Sequence, residues 1–227
     1  MGLKLRQQIK KRLWTVYLME LLIVILGITI AFQVQVIYED KQDRRKEISA
    51  LERLHNENDL NLTEFESLMP YRISMEQNTR ILQIILDTPL AANRDTLSKY
   101  LFTLQRVSTP DLPEESMEAY LNGPFELRNQ SLARELQKLK GLYLELKELT
   151  SHYWEKKNEY FYNPIKGEVD FTKSEILSTK VLNSLSFKND LWSLFLDEVE
   201  QNRLYKESYD QLIEVQSLTE QTLDQLR

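Results

Sequence analysis

Glu20 is the single ionisable side chain in an apolar run, LWTVYLMELLIVILGITIAFQVQVI, from Leu13 to Ile37. A carboxyl in such a run has two active chemistries open to it. It can hydrogen-bond a neighbouring membrane helix, or it can take up and release a proton. A third placement is inert: if the run enters the membrane near Leu18, Glu20 sits among the headgroups. Gln33, with Gln35, lies toward the far end, where a polar side chain can reach an interface. Further along, His55 and Asn58 fall in an apolar stripe made by Ile48, Leu51, Leu62, Phe65 and Met69. Polar residues in such a seam fix helix register at some cost in stability. His55 is expected to be partly buried and bonded to a neighbour rather than to hold a ligand.

Other chemistry is excluded by composition. The chain has no Cys, so disulfides, Cys-ligated zinc and thiol catalysis are impossible. His55 and His152 are the two histidines, too few for a multi-histidine metal site within one chain. Adjacent carboxylates at Glu114-Glu115 and Asp197-Glu198 diverge around a helix instead of converging on a substrate. The sequence contains no GxGxxG, Walker loop, HExxH or GxSxG. The expectation is a protein that is not an enzyme and takes no cofactor or metal.

The elements that must position these residues begin with a basic head. Residues 1–12 carry Lys4, Arg6, Lys10, Lys11 and Arg12 and no acid. The chain's net charge of −6, with +5 in the head, leaves −11 on the rest. That acidic remainder offers no phosphate-binding face, so no nucleic-acid partner is expected. The apolar run, with Trp14 and Tyr17 at one end and Tyr38 at the other, reads as one transmembrane helix over residues 13–38. A cleaved signal peptide shares the basic head and a short apolar stretch, with Thr29-Ile30-Ala31 as a passable cleavage context. Glu20, and helix-forming sequence that continues past Gln33, favour a retained span. The cationic head orients the helix with its N-terminus in the cytoplasm, although Lys41, Arg44, Arg45 and Lys46 follow the span. Residues 39–227 would then be an extracytoplasmic domain, periplasmic in a cell with two membranes, with membrane lipid as one partner.

The frame MELLIVILGITIAFQVQ, through Glu20, Gly27-Ile28, Ile30-Ala31 and Gln33, resembles the N-terminal signature of a Bacteroidota family of single-span inner-membrane proteins that carry a domain of unknown function. Met19 stands where that signature has a small residue, and Ile37-Tyr38-Glu39-Asp40 where an Asn-Trp-Asn-Glu-like run is common. A looser match runs from Ala119 to Gly123 and on through Leu127, Arg128, Asn129 and Leu132. The resemblance implies an inner-membrane location and a helical body, and no activity.

The body reads as all-α. Five Gly and six Pro are few against the roughly 12% of average usage, which argues against a turn-rich sandwich or barrel. No Gly or Pro interrupts Tyr38 to Met69, so the membrane helix should run on beyond the span. Pro70 is expected to kink it or to start a new helix. A second helix is expected through Leu97, Leu101, Leu104 and Val107, capped by Asn93 or Asp95. A short one follows from Glu114 to Leu121. A long helix over Leu127–Phe161 keeps near-heptad spacing, ends at Asn163-Pro164, and carries the aromatic clusters His152-Tyr153-Trp154 and Tyr160-Phe161-Tyr162, read as core or partner contacts. A helix over Ser174–Ser186 and a last one capped near Asn189 complete an antiparallel bundle with three long helices.

Function follows from placement more than chemistry. The leading expectation is a membrane-anchored scaffold or interaction subunit, forming a homo-oligomer or engaging a membrane-protein partner. The alternatives are a stator-like subunit of a proton-driven complex, using Glu20, and a sensor that signals through a partner.

Overall fold

The computed structural model describes residues 2–87, 94–125 and 129–227. The expected Asn93 cap and the looser match at Leu127 and Arg128 lie outside the described residues, as do the side chains of residues 2–16 and of Arg94. Helix α1 (Gly2–Leu86) is 85 residues long and contributes to two compact units, residues 1–49 with Leu226 and residues 50–225 with Arg227.

In the first unit every residue from Tyr17 to Tyr38 is exposed. This stretch makes α1 long and apolar enough to cross a membrane. Its polar side chains close onto the same helix. Thr29 Oγ1 donates to the Ile25 carbonyl at 2.8 Å, and Gln35 Nε2 donates to Glu39 Oε1 at 2.9 Å. Local bonds of this kind are what hydrocarbon requires, since it offers no water as an alternative partner. Past Tyr38 the exposed surface turns charged, with Lys46 paired to Asp43 at 3.3 Å.

The second unit rests on three long helices: α1 from Ala50 onward, α4 (Gln130–Lys157) and α6 (Leu185–Leu226). Each buries a stripe that alternates steps of three and four. On α1 it passes through Leu51, Leu54, Asn58, Asn61, Phe65, Arg72, Met75, Thr79 and Leu82. On α4 it runs Leu132, Leu136, Leu139, Tyr143, Leu146, Thr150, Tyr153 and Lys157. On α6 it runs Phe187, Leu191, Leu194, Glu198, Gln201, Tyr205, Ser208, Leu212, Val215 and Thr219. This is the knobs-into-holes period of packed helices. Residue numbers rise along α1 as they fall along α6. Glu52 meets Arg227, Glu66 meets Tyr209, Glu76 meets Asn202 and Gln83 meets Leu191. The stripe on α1 is therefore covered by the chain's own helices.

Shorter elements fill the connections between these helices. They are α2 (Arg94–Thr103), α3 (Glu115–Leu121), a π-helical turn (Asn158–Tyr162), α5 (Asn163–Ile165) and the two-residue strands β1 (Val169–Asp170) and β2 (Glu175–Ile176). Leu97, Leu101, Phe161, Ile165, Val169, Ile176 and Leu182 join Met75, Leu82, Tyr153, Phe187 and Leu191 in one apolar cluster. The strands pair antiparallel, Val169 with Ile176 and Asp170 with Glu175.

Three expectations are corrected. Pro70 does not start a new helix, since α1 continues through it to Leu86. It sits on the exposed face, where its missing N–H and its ring meet solvent. No helix forms over Ser174–Ser186. Asp170 Oδ1 accepts from the Thr172 and Lys173 amides at 2.9 and 3.2 Å, which makes a tight turn into β2, with Ser174 at φ 57°. Glu168 then holds the Val181 amide at 2.7 Å. The buried Ile176 and Leu182 lie six positions apart, so no helical stripe of three- and four-residue steps links them. Finally, α6 is capped by Ser184, whose Oγ accepts from the Phe187 amide at 3.2 Å, and Asn189 lies inside the helix.

A proline within a helix removes one hydrogen bond and crowds the carbonyl four residues earlier. Pro70→Ala should therefore raise the unfolding free energy by about 1–3 kcal/mol, read from urea unfolding of the full chain in detergent. An unchanged or lowered midpoint would contradict this account.

Candidate functional site

The densest chemistry lies inside the second unit, not on its surface. Glu198, on α6, is 0% exposed. One carboxylate oxygen accepts from the Arg72 guanidinium of α1 and the other from the Tyr153 hydroxyl of α4. Arg72 is 2% exposed, and its guanidinium carbon lies 5.8 Å from the Tyr153 ring centre and 5.6 Å from that of Tyr205. The cation is thus neutralised by one carboxylate and flanked by two ring faces. Gln201 and Tyr71 border the layer. Burial raises the Tyr71 hydroxyl to about 12 and Tyr205 to about 12, and lifts Tyr153 well above 10, where the neighbouring Glu198 charge adds to the shift. Adjacent Asp197 turns the other way and pairs with Lys156 at 2.9 Å, so the two carboxylates do diverge.

Lys157 ends α4 one turn beyond Tyr153. Its ammonium donates to the Arg106 carbonyl at 2.9 Å and lies 5.3 Å from the Tyr153 ring centre. Burial lowers its pKa to about 8; the Glu198 carboxylate opposes the shift and Arg72 adds to it. The π-helical turn follows at once, and its Tyr162 hydroxyl donates to the Gln105 carbonyl. Both contacts hold the segment that leaves α2. From the other side α1 holds the same connection. Asn61 Nδ2 donates to the Pro113 carbonyl at 3.0 Å. Glu57 accepts the Ser116 and Met117 amides at 2.7 and 3.0 Å. No cap from α3's own N-terminal residue exists, so Glu57 supplies it from a different helix. This segment and α4 border an open hollow of about 410 Å³ lined by Pro110, Leu112, Tyr143, Lys147 and Trp154. Glu114 lines it too, its carboxyl raised by burial.

The residues singled out from sequence lie apart from this layer. Glu20 is exposed in the first unit with no hydrogen bond or ion pair among the described residues, and Gln33 is exposed too. His55 is half-buried, its Nδ1 against the Gln216 amide and its Nε2 3.7 Å from Asp59. Asn58 is buried, and its Nδ2 meets no acceptor among the described residues. No group of three or more His, Asp or Glu side chains is placed to hold a metal among the described residues. Sequence reasoning missed Arg72, Tyr153, Lys157 and Glu198 as one cluster. The available signal was the three–four stripe continuing straight through Arg72 and Glu198, which put charged residues at seam positions. These groups are enclosed, and Arg72, Tyr153 and Glu198 tie three helices together. No protein-family model matches the chain, and no curated protein or solved structure is similar to it.

Arg72→Met leaves the Glu198 carboxylate buried without its cation, and should cost about 3–5 kcal/mol. Arg72→Met combined with Glu198→Leu should recover most of that loss in denaturant unfolding. A double variant as unstable as the single one would mean that packing, not charge pairing, governs the layer.

Lys157 gives a pH signature. Its folded pKa lies below that of the unfolded chain, so between about pH 8 and 10 the unfolded state binds more protons and stability rises with pH. The burial penalty is present in full below about 8. Above about 10 the buried tyrosines reverse the trend, because they resist ionisation only while folded. Lys157 should contribute a gain of about 2 kcal/mol from pH 8 to 10, read as the difference between wild type and Lys157→Met. An equal gain in that variant would remove Lys157 as its source.

Proposed function

We propose that the chain is a membrane-anchored helical scaffold, with a cytoplasmic N-terminus and an extracytoplasmic antiparallel bundle that engages other membrane proteins or copies of itself. The observation that carries this reading is where the chemistry sits. Arg72, Tyr153 and Glu198 inside the second unit bond one another, and Lys157 and Glu57 bond the backbone between α2 and the first turn of α3. They build a body with a defined register rather than an open reactive centre. The basic head and the exposed apolar face of α1 support the anchor and its orientation. The likeness of the Glu20–Gln33 frame to a single-span inner-membrane family points the same way.

One observation favours a second reading. Glu20 lies in the apolar stretch with no partner in the chain among the described residues, as a proton-carrying group of a stator-like subunit would. Two measurements on full-length protein separate these outcomes. A reporter active only outside the cytoplasm, fused after Arg227, should be active; activity from a strictly cytoplasmic reporter there would reverse the topology. In cells lacking the native copy, Glu20→Gln should keep abundance, assembly and function, since it retains size and hydrogen bonding. Loss of function at normal abundance and assembly would move the assignment to the proton-driven reading.

A further inference from the structure

Helix α6 carries a second, exposed stripe, whose first half borders an open hollow shared with Arg80, Gln83 and Ile84 of α1. Leu185, Asn189, Trp192, Leu196 and Val199 follow steps of four, three, four and three, and all are exposed. Trp192 is 53% exposed and rests on the buried ring of Phe195, with centroids 5.4 Å apart. The apolar run stops at Arg203, which is held by its own helix neighbours Glu200 and Glu207 at 2.6 Å each.

We propose that two copies of the chain pack α6 against α6 along this stripe, parallel and in register. The spacing is that of a coiled-coil seam, with Leu185, Trp192 and Val199 at d positions and Asn189 and Leu196 at a positions. A single Asn at an a position selects this arrangement, because in register its amide meets the same amide of the other copy. In an antiparallel or shifted pairing it would be buried against Leu196 or Val199. The Asn189 side chain makes no hydrogen bond within the chain among the described residues, so it is free to do this. The flanking e positions, Ser186 and Ser193, carry no charge and allow close approach.

The stripe offers on the order of 350 Å² of apolar surface per copy, against roughly 800 Å² per partner in a standard stable interface. That is too little to hold a dimer in dilute solution. Confinement by a membrane anchor raises the effective concentration toward the millimolar range, where such a seam suffices. The inference therefore rests on the anchored reading and commits to a second copy as the occupant.

The absence of Cys makes the test direct. Full-length protein in native membranes is oxidised after single substitution of Asn189→Cys, Leu196→Cys or, as an off-stripe exposed control on α4, Leu144→Cys. Same-site disulfide dimers should form several-fold more at 189 and 196 than at 144. Adding Trp192→Lys to Leu196→Cys should abolish the dimer while helix content and unfolding midpoint stay unchanged. Linking at 189 and 196 no greater than at 144 would overturn the proposal. So would a Leu185→Cys and Val199→Cys mixture that links preferentially across sites, or adducts with the mass of another protein. Carbonate extraction tests the anchor separately. Release of the protein would overturn the anchored reading and the dimer that rests on it, whereas retention in the membrane with linking no greater than at 144 would overturn the stripe alone.

Discussion

Glu198 has no contact with water, so its charge must be met inside the protein, and its two partners come from two other helices. Arg72 of α1 approaches one oxygen and Tyr153 of α4 the other. One guanidinium nitrogen and one phenol each take a carboxylate oxygen, and each is held in place by its own helix. Sliding any of the three helices by one residue would leave a buried ion unpaired, at a cost of several kcal/mol. Leucines elsewhere in the seams tolerate small slips; this layer does not. The remaining contacts along the helices, from Glu52 with Arg227 to Gln83 with Leu191, keep the register that this layer sets.

Polar side chains beyond the layer hold segments that have no regular structure of their own. Lys157 and Tyr162 grip the exit from α2, while Asn61 and Glu57 grip the approach to α3. These loops would otherwise hold backbone groups out of reach of water. The long helices thus do two jobs with one seam: apolar members supply burial, and polar members satisfy the connections. Along the outer stripe of α6 apolar residues recur at coiled-coil spacing and are exposed among the described residues.

Much of this was legible in the sequence, and the reason is periodicity. The all-α class, the three long helices, the run of α1 past Tyr38, the short α3 and the exposed apolar stretch around Glu20 all follow from local composition and from steps of three and four. Where local signals were weak or misleading, the reading failed. Pro70 looks like a break, yet α1 passes through it, because packing on both sides of an exposed proline outweighs one lost hydrogen bond. Ser174–Ser186 looks like a short helix, yet Asp170 and Glu168 capture its backbone amides and turn it into a hairpin and loop.

By itself, then, the sequence determined what each segment is and which face of it is apolar, since those depend on neighbours within a turn or two. It also determined that no thiol chemistry occurs and that one stretch is apolar enough for a membrane. Only the tertiary structure decided which charged seam residues meet. Arg72, Tyr153 and Glu198 stand 81 and 45 positions apart along the chain, and no spacing rule links them. Their pairing depends on the relative register of three helices, a quantity that arises only when the helices are packed together.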